Sequence, residues 1–138
     1  MKVLYLCHRA PWPPDKGDRV RSHAILEWLV KRHEVFLGAF ADGDDADDVR
    51  RTDAALRKVC ADVKVLPRPG LARGVRAAFT GNAISVEVFS SAELDAWIRT
   101  TVARVEPHAA LGFSSQTAPQ LFGLSGMTRV LDLVDVDS

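Results

Sequence analysis

Two kinds of side chain in this sequence could do chemistry together. Lys16, Arg19 and Arg21 surround Gly17, and Asp135 and Asp137 close the chain, with Ser114 and Ser115 between them in sequence. Cations beside a glycine at the start of a helical pattern suit a phosphate-bearing anion, because free backbone N–H groups and the positive end of the helix dipole point the same way. The internal alternative is that Arg19 and Arg21 lie on a solvated face and pair with Asp15, Asp18 or Glu27. Carboxylates at the end of an apolar strand are costly to bury unless they are paired or in use. Asp135 is the candidate for contact with a reacting group, sharing a face with Leu131, Leu133 and Asp137 while Asp132 faces the other way. Its structural alternatives are capping a following helix or pairing with Arg19.

The elements that must position these groups follow from periodicity. An apolar run at 2–7, rich in strand formers, breaks into a loop where Pro11, Pro13 and Pro14 enforce a stiff, non-helical path around Trp12. Gly17 then gives a position without Cβ where a ligand can approach, and Asp18 is placed to cap the next helix. That helix is expected over 18–32, with Val20, Ala24, Ile25, Trp28 and Leu29 on the buried face. Residues 33–40 form a nearly continuous apolar run, as in a parallel strand covered on both faces.

Five aspartates between 41 and 48 lack the spacing of a calcium loop and instead favour the start of a helix over 49–60. A third strand is expected at 61–66, an ambiguous extended segment at 82–89, and a helix at 91–106 that buries Leu94, Trp97, Ile98, Thr101, Val102 and Val105. Pro107 stops it. A strand at 108–113, a short helix at 117–122 and a strand at 128–136 complete the chain. No acidic residue occurs from 63 to 86, whereas Lys64, Arg68, Arg73 and Arg76 are basic. The apolar spacing within this stretch makes a basic amphipathic helix, suited either to an anionic membrane surface or to covering one side of the sheet.

Composition narrows the class. The 138 residues fit one domain, 47% of them hydrophobic and 26% charged, and 18 basic residues balance 18 acidic ones. No global field favours nucleic acid, so any site for an anion must be local. Cys7 and Cys60 form neither a disulfide framework nor a metal cluster, and no metal or cofactor is expected. With no signal-peptide pattern and no span of roughly 20 apolar residues, the cytoplasm is the expected compartment.

Alternating strands and helices imply an α/β, Rossmann-like three-layer sandwich around a five-stranded parallel sheet, in the order 3-2-1-4-5. Strand order reverses between strands one and four, so a ligand crevice is expected above their carboxyl ends, where residues 8–17 meet 114–116 and the end of strand five lies alongside. The chain stops just past that strand with no closing helix, which reads as a fragment of a longer protein.

The opening Leu-Tyr-Leu-Cys-His-Arg-Ala-Pro-Trp-Pro-Pro-Asp-Lys-Gly-Asp-Arg-Val-Arg-Ser, the Val35-Phe-Leu-Gly-Ala-Phe run, Phe113-Ser-Ser and the ending Val130-Leu-Asp-Leu-Val-Asp-Val-Asp-Ser carry a resemblance. Across all 138 residues the chain resembles the N-terminal domain of GT-B glycosyltransferases of family four, closest to the PEP-CTERM/exosortase-associated sugar transferases of exopolysaccharide biosynthesis. The resemblance implies an acceptor-side domain facing a C-terminal donor-binding domain that residues 1–138 do not include. It also implies a nucleotide-sugar donor, a glycan or lipid-linked acceptor, retained anomeric configuration without a metal, and approach of the Gly17 loop to the donor diphosphate. The fragment alone would be inactive. The single Gly17 departs from the commoner Gly-Gly pattern.

Two other classes remain open on the same residues. A dinucleotide-dependent oxidoreductase would need Gly-x-Gly-x-x-Gly after strand one, where three prolines and one glycine stand. A non-catalytic interaction domain would show an exposed aromatic patch and no crevice. A serine hydrolase lacks its Gly-x-Ser-x-Gly elbow, and neither His8 nor His108 can be assigned to Ser114 or Ser115.

Overall fold

The computed structural model describes residues 1–15, 17–41, 43, 45–68 and 92–133. Its central strand, β1 (Lys2–Cys7), is five-sixths buried because both faces of the sheet are covered: Val3, Tyr5 and Cys7 point into one core, Leu4 and Leu6 into the other. Around it run α1 (Gly17–Val30), β2 (Glu34–Phe40), α2 (Ala46–Arg57), β3 (Asp62–Leu66), α3 (Ala92–Val105), β4 (Ala109–Phe113), a 3-10 turn (Ser115–Thr117), α4 (Ala118–Phe122) and β5 (Thr128–Asp132). The five strands form one parallel sheet in the order β3-β2-β1-β4-β5, the order expected from the sequence.

Leu26 and Leu29 of α1 and Leu56 of α2 pack on the Tyr5 face, while Leu94, Ile98 and Val105 of α3 and Leu121 of α4 pack on the Leu4 face. Each fully buried side chain of this size contributes roughly 1.5–3 kcal/mol, which is what holds the three layers together. Strand register fixes the upper rim. Cys7 aligns with Ala39 and Phe113, and Phe113 with Asp132, so one row of the sheet brings β2, β1, β4 and β5 to a common edge.

Helix α1 is rotated from the expected phase. Arg19, Ser22, Leu26 and Leu29 are buried, whereas Val20 and Trp28 are each 52% exposed and Ala24 is also exposed. The cause is polar: the buried Tyr5 hydroxyl donates to the Ser22 carbonyl at 3.0 Å, drawing the small Ser22 onto β1, and the Arg19 guanidinium goes under with Asp15 2.5 Å away. Trp28, expected in the core, instead carries the Arg32 guanidinium 4.4 Å above its ring, with Arg32 also donating to the Trp28 carbonyl.

Helix α2 begins three residues before the expected 49, because Asp45 caps it by accepting from the Asp47 amide at 2.9 Å. Strand β5 ends at Asp132 rather than at 136, and residues 134–138 lie outside the described residues. The expected segment at 82–89 and the helical part of the basic stretch, with Arg73 and Arg76, also lie outside them. Lys64 is not electrostatically unopposed as the local sequence suggested, since Glu93 of α3, distant in sequence, meets its ammonium at 2.6 Å. Among the described residues no helix is long and apolar enough to cross a membrane.

Candidate functional site

The rim above β1, β4 and β5 is built by residues that immediately follow the aligned row. His8 leaves the end of β1 with its imidazole nearly parallel to the Phe113 ring, 9° between planes and 6.1 Å between centroids. Its Nε2 lies 3.4 Å from the Asp18 carboxylate, which also meets Arg9 at 3.7 Å. Asp18 is therefore not the cap of α1. Because the helix starts at Gly17, Asp18 sits inside the first turn and holds the two residues that follow β1. The Ala10 amide donates to the Phe40 carbonyl at 2.7 Å, which ties the proline loop to the end of β2.

Burial lowers the His8 pKa below the ordinary imidazole value, with the neighbouring Phe113 main chain and the Asp18 carboxylate opposing that shift and Arg9 adding to it. His8 Nδ1 is buried and has no partner in hydrogen-bonding geometry among the described residues. A neutral imidazole at the head of the central strand can accept a proton or a hydrogen bond once that nitrogen is reached. The thiols beneath it are inert: burial pushes Cys7 far up and Cys60 up to about 12, and neither is bonded to the other.

Ser114 is the strained member of the rim. Its φ of 87° and ψ of 147° place it in a backbone region that side chains avoid, and the surroundings hold it there. The Ser114 amide donates to the Asp132 carbonyl at 2.8 Å, its carbonyl accepts from the Thr117 hydroxyl at 2.8 Å, and its Oγ accepts from the Gln116 amide at 3.3 Å. Gly112 makes this possible, since a Cβ there would stand 2.4 Å from the Thr117 hydroxyl oxygen. Ser115 is exposed beside it.

The remaining candidates separate. Gly17 is exposed, with open space where a Cβ would stand and no positive φ, so a ligand can reach this backbone although the fold itself does not require glycine. Arg19 is buried against Asp15. Arg21 is exposed at the rim and binds Asp132 of β5. Lys16, Asp135 and Asp137 lie outside the described residues. The structure thus brings Gly17, Arg21, Ser114 and Ser115 to one edge, adds His8 and Asp132, which were not among the candidate residues, and puts Asp18, expected as a cap, against His8 and Arg9. Position alone could have found His8, as it is the first residue after the central strand.

Two grooves formed by described residues lie off this edge, one of about 480 Å3 along α2 and one of about 400 Å3 between α3 and α4. Comparison with known proteins finds no match: no family model, curated protein or solved structure is similar to this chain.

Proposed function

We propose that this chain is the acceptor-side, Rossmann-like domain of a two-domain glycosyltransferase that moves a sugar from a nucleotide-sugar donor to a glycan or lipid-linked acceptor in exopolysaccharide biosynthesis. The observation that carries the proposal is the rim itself, where His8, Arg21, Ser114 and Asp132 converge at the carboxyl edge of β1, β4 and β5, at the point where strand order reverses. Open parallel sheets take their ligands at such a point. The sequence resemblance of the Gly17 loop and of the segment ending in Asp135 and Asp137 supplies the reaction class.

In the reaction, an acceptor hydroxyl oxygen bonds to the anomeric carbon of the donor sugar. The bond from that carbon to the diphosphate breaks, and the hydroxyl proton leaves toward the departing phosphate or a protein base. The open backbone at Gly17 and the cations Lys16 and Arg21 suit the diphosphate charge, Ser114 and Ser115 suit acceptor hydroxyls, and Asp135 suits the reacting sugar, with Asp137 beside it. The donor binds mainly through a second domain outside residues 1–138. The compartment is the cytoplasm, with the stretch containing Lys64, Arg68, Arg73 and Arg76 touching the inner face of the membrane.

The test is release of nucleoside diphosphate by the full-length protein, offered a panel of nucleotide-sugars and lipid-extracted or oligosaccharide acceptors. Asp135→Asn should lower turnover by an order of magnitude or more while leaving the melting temperature unchanged, and residues 1–138 alone should give none. Absence of sugar transfer by the full-length protein across the panel rejects the function. Turnover by residues 1–138 alone rejects the division of labour between two domains.

A further inference from the structure

Helices α3 and α4 cover the same face of the sheet through Leu94, Ile98 and Leu121. Helix α4 has only five residues and starts at a proline-containing turn, so it leaves a groove of about 400 Å3 against α3. That volume falls within the roughly 300–1,000 Å3 of small-molecule sites. Ile98, Pro119 and Leu124 give it apolar walls, and Asp95, Arg99 and Gln120 line it with polar ones.

These three polar groups have no partner within the protein among the described residues, although solvent reaches Asp95 and Arg99. Asp95 and Arg99 sit four residues apart on α3, yet neither makes a hydrogen bond or ion pair among the described residues. The Gln120 Oε1 is buried without a donor among the described residues. The groove along α2 is different in kind, because there Arg50 is paired with Asp47 and Arg57 with Asp53, so its charges are already answered within the protein.

The unpartnered set has a definite chemistry. Asp95 only accepts, Arg99 only donates, Gln120 does both, and their formal charges cancel. An anion would meet Asp95 and a cation Arg99. A purely apolar ligand would bury all three unpaired, at about 1–3 kcal/mol each. What answers donors and acceptors together over an apolar wall is a skeleton bearing adjacent hydroxyls with a C–H face. We propose that the α3–α4 groove binds a neutral saccharide unit.

The groove is distinct from the rim, since none of His8, Gly17, Arg21, Ser114 and Asp132 lines it, but it lies nearby. Helix α3 runs down to the start of β4, which leaves Asp95 in its upper half and Arg99 at its middle, and α4 descends from the turn that follows Ser114. A saccharide here would be held beside the rim. This site stands on the groove's own unpaired groups and does not need the transferase reading.

The experiment is a titration of the 15N-labelled chain with chitotriose and, separately, maltotriose, following amide shifts. At least one of the two should shift Arg99, Gln120 and Gly123, and Arg99→Ala and Gln120→Leu should each weaken that binding about fivefold or more, equivalent to roughly 1 kcal/mol. Arg99 is exposed, so its variant remains informative if the change at half-buried Gln120 perturbs folding. Absence of groove shifts with both sugars overturns the proposal, as do shifts that survive both substitutions. Shifts confined to Ser114 and Asp132 would also overturn it while favouring an acceptor at the rim. A stronger response of Arg99 to inorganic phosphate than to either sugar would make the groove an anion site and overturn the saccharide assignment.

Discussion

One nitrogen of the Arg21 guanidinium stands 3.2 Å from Oδ1 and 3.0 Å from Oδ2 of Asp132, joining α1 to the end of β5 across 111 residues of sequence. A cation offered to a ligand phosphate is thus already held by a carboxylate of the same chain. An incoming diphosphate would compete with Asp132 for it. Arg21 is 58% exposed and Asp132 20%, so water screens the pair and its worth is modest. A double-mutant cycle with Arg21→Gln and Asp132→Asn, read by urea unfolding, should give a coupling of about 0.5–1 kcal/mol. That coupling should shrink with added salt. Additive single variants at low salt would mean the pair is not formed in solution.

Gly112→Ala is expected to be among the costliest conservative changes in the sheet. The new Cβ would press on the Thr117 hydroxyl oxygen at 2.4 Å, with Leu121 and Leu131 at 3.3 Å, in a region that is already buried. Overpacking of this kind costs about 1–3 kcal/mol. Thr117→Ala should recover part of the loss, because it removes the closest contact. Full stability in the single Gly112 variant would show that β4 and the 3-10 turn are not as close as they stand here.

Trp28→Ser should change stability by no more than about 0.5 kcal/mol plus the small contribution of its contact with Arg32, against the 3–5 kcal/mol typical of a buried aromatic truncated to alanine. A loss in the larger range would restore Trp28 to the core. The experiment tests the phase of α1 directly, since Trp28 and Leu26 cannot both face β1.

That phase marks where the sequence stopped being legible. The sheet order followed from runs buried on both faces, such as Val35 to Phe40, whose placement hydrophobicity alone decides. Helix α3 was more readable, because three of its four buried positions, Leu94, Ile98 and Val105, are apolar and the fourth, Thr101, fell on the same stripe. In α1 two of the four buried positions are Arg19 and Ser22, which a hydrophobic pattern assigns to solvent. Asp15 was within reach of Arg19 in the sequence and was among its expected partners, but only on a solvated face; the burial of this stretch depends on Tyr5, which only folding brings near. The rim behaved likewise: Gly17, Arg21 and Ser114 were suggested by residue type, whereas the roles of His8, Asp18 and Asp132 depend on strand register.

His8 gives the structure a pH signature. Burial lowers its pKa, so the folded protein resists a proton that the unfolded chain takes up near the ordinary imidazole value of about 6.5. Below that pH the unfolded state carries the extra proton, and stability must fall as acid is added. Above about pH 6.5 the contribution is fully present, and it is lost progressively until the folded imidazole itself titrates. His8→Gln, which cannot titrate, should flatten the slope of melting temperature against pH between about 7 and 5 relative to the parent chain. Asp18→Asn should act in the opposite sense, because removing the carboxylate that opposes the shift leaves His8 still harder to protonate in the folded state. The His8 ring resonance, followed by NMR, should then move its midpoint further down. A parent midpoint at or above the ordinary imidazole value would show that His8 is hydrated, and would remove the neutral acceptor from the head of β1.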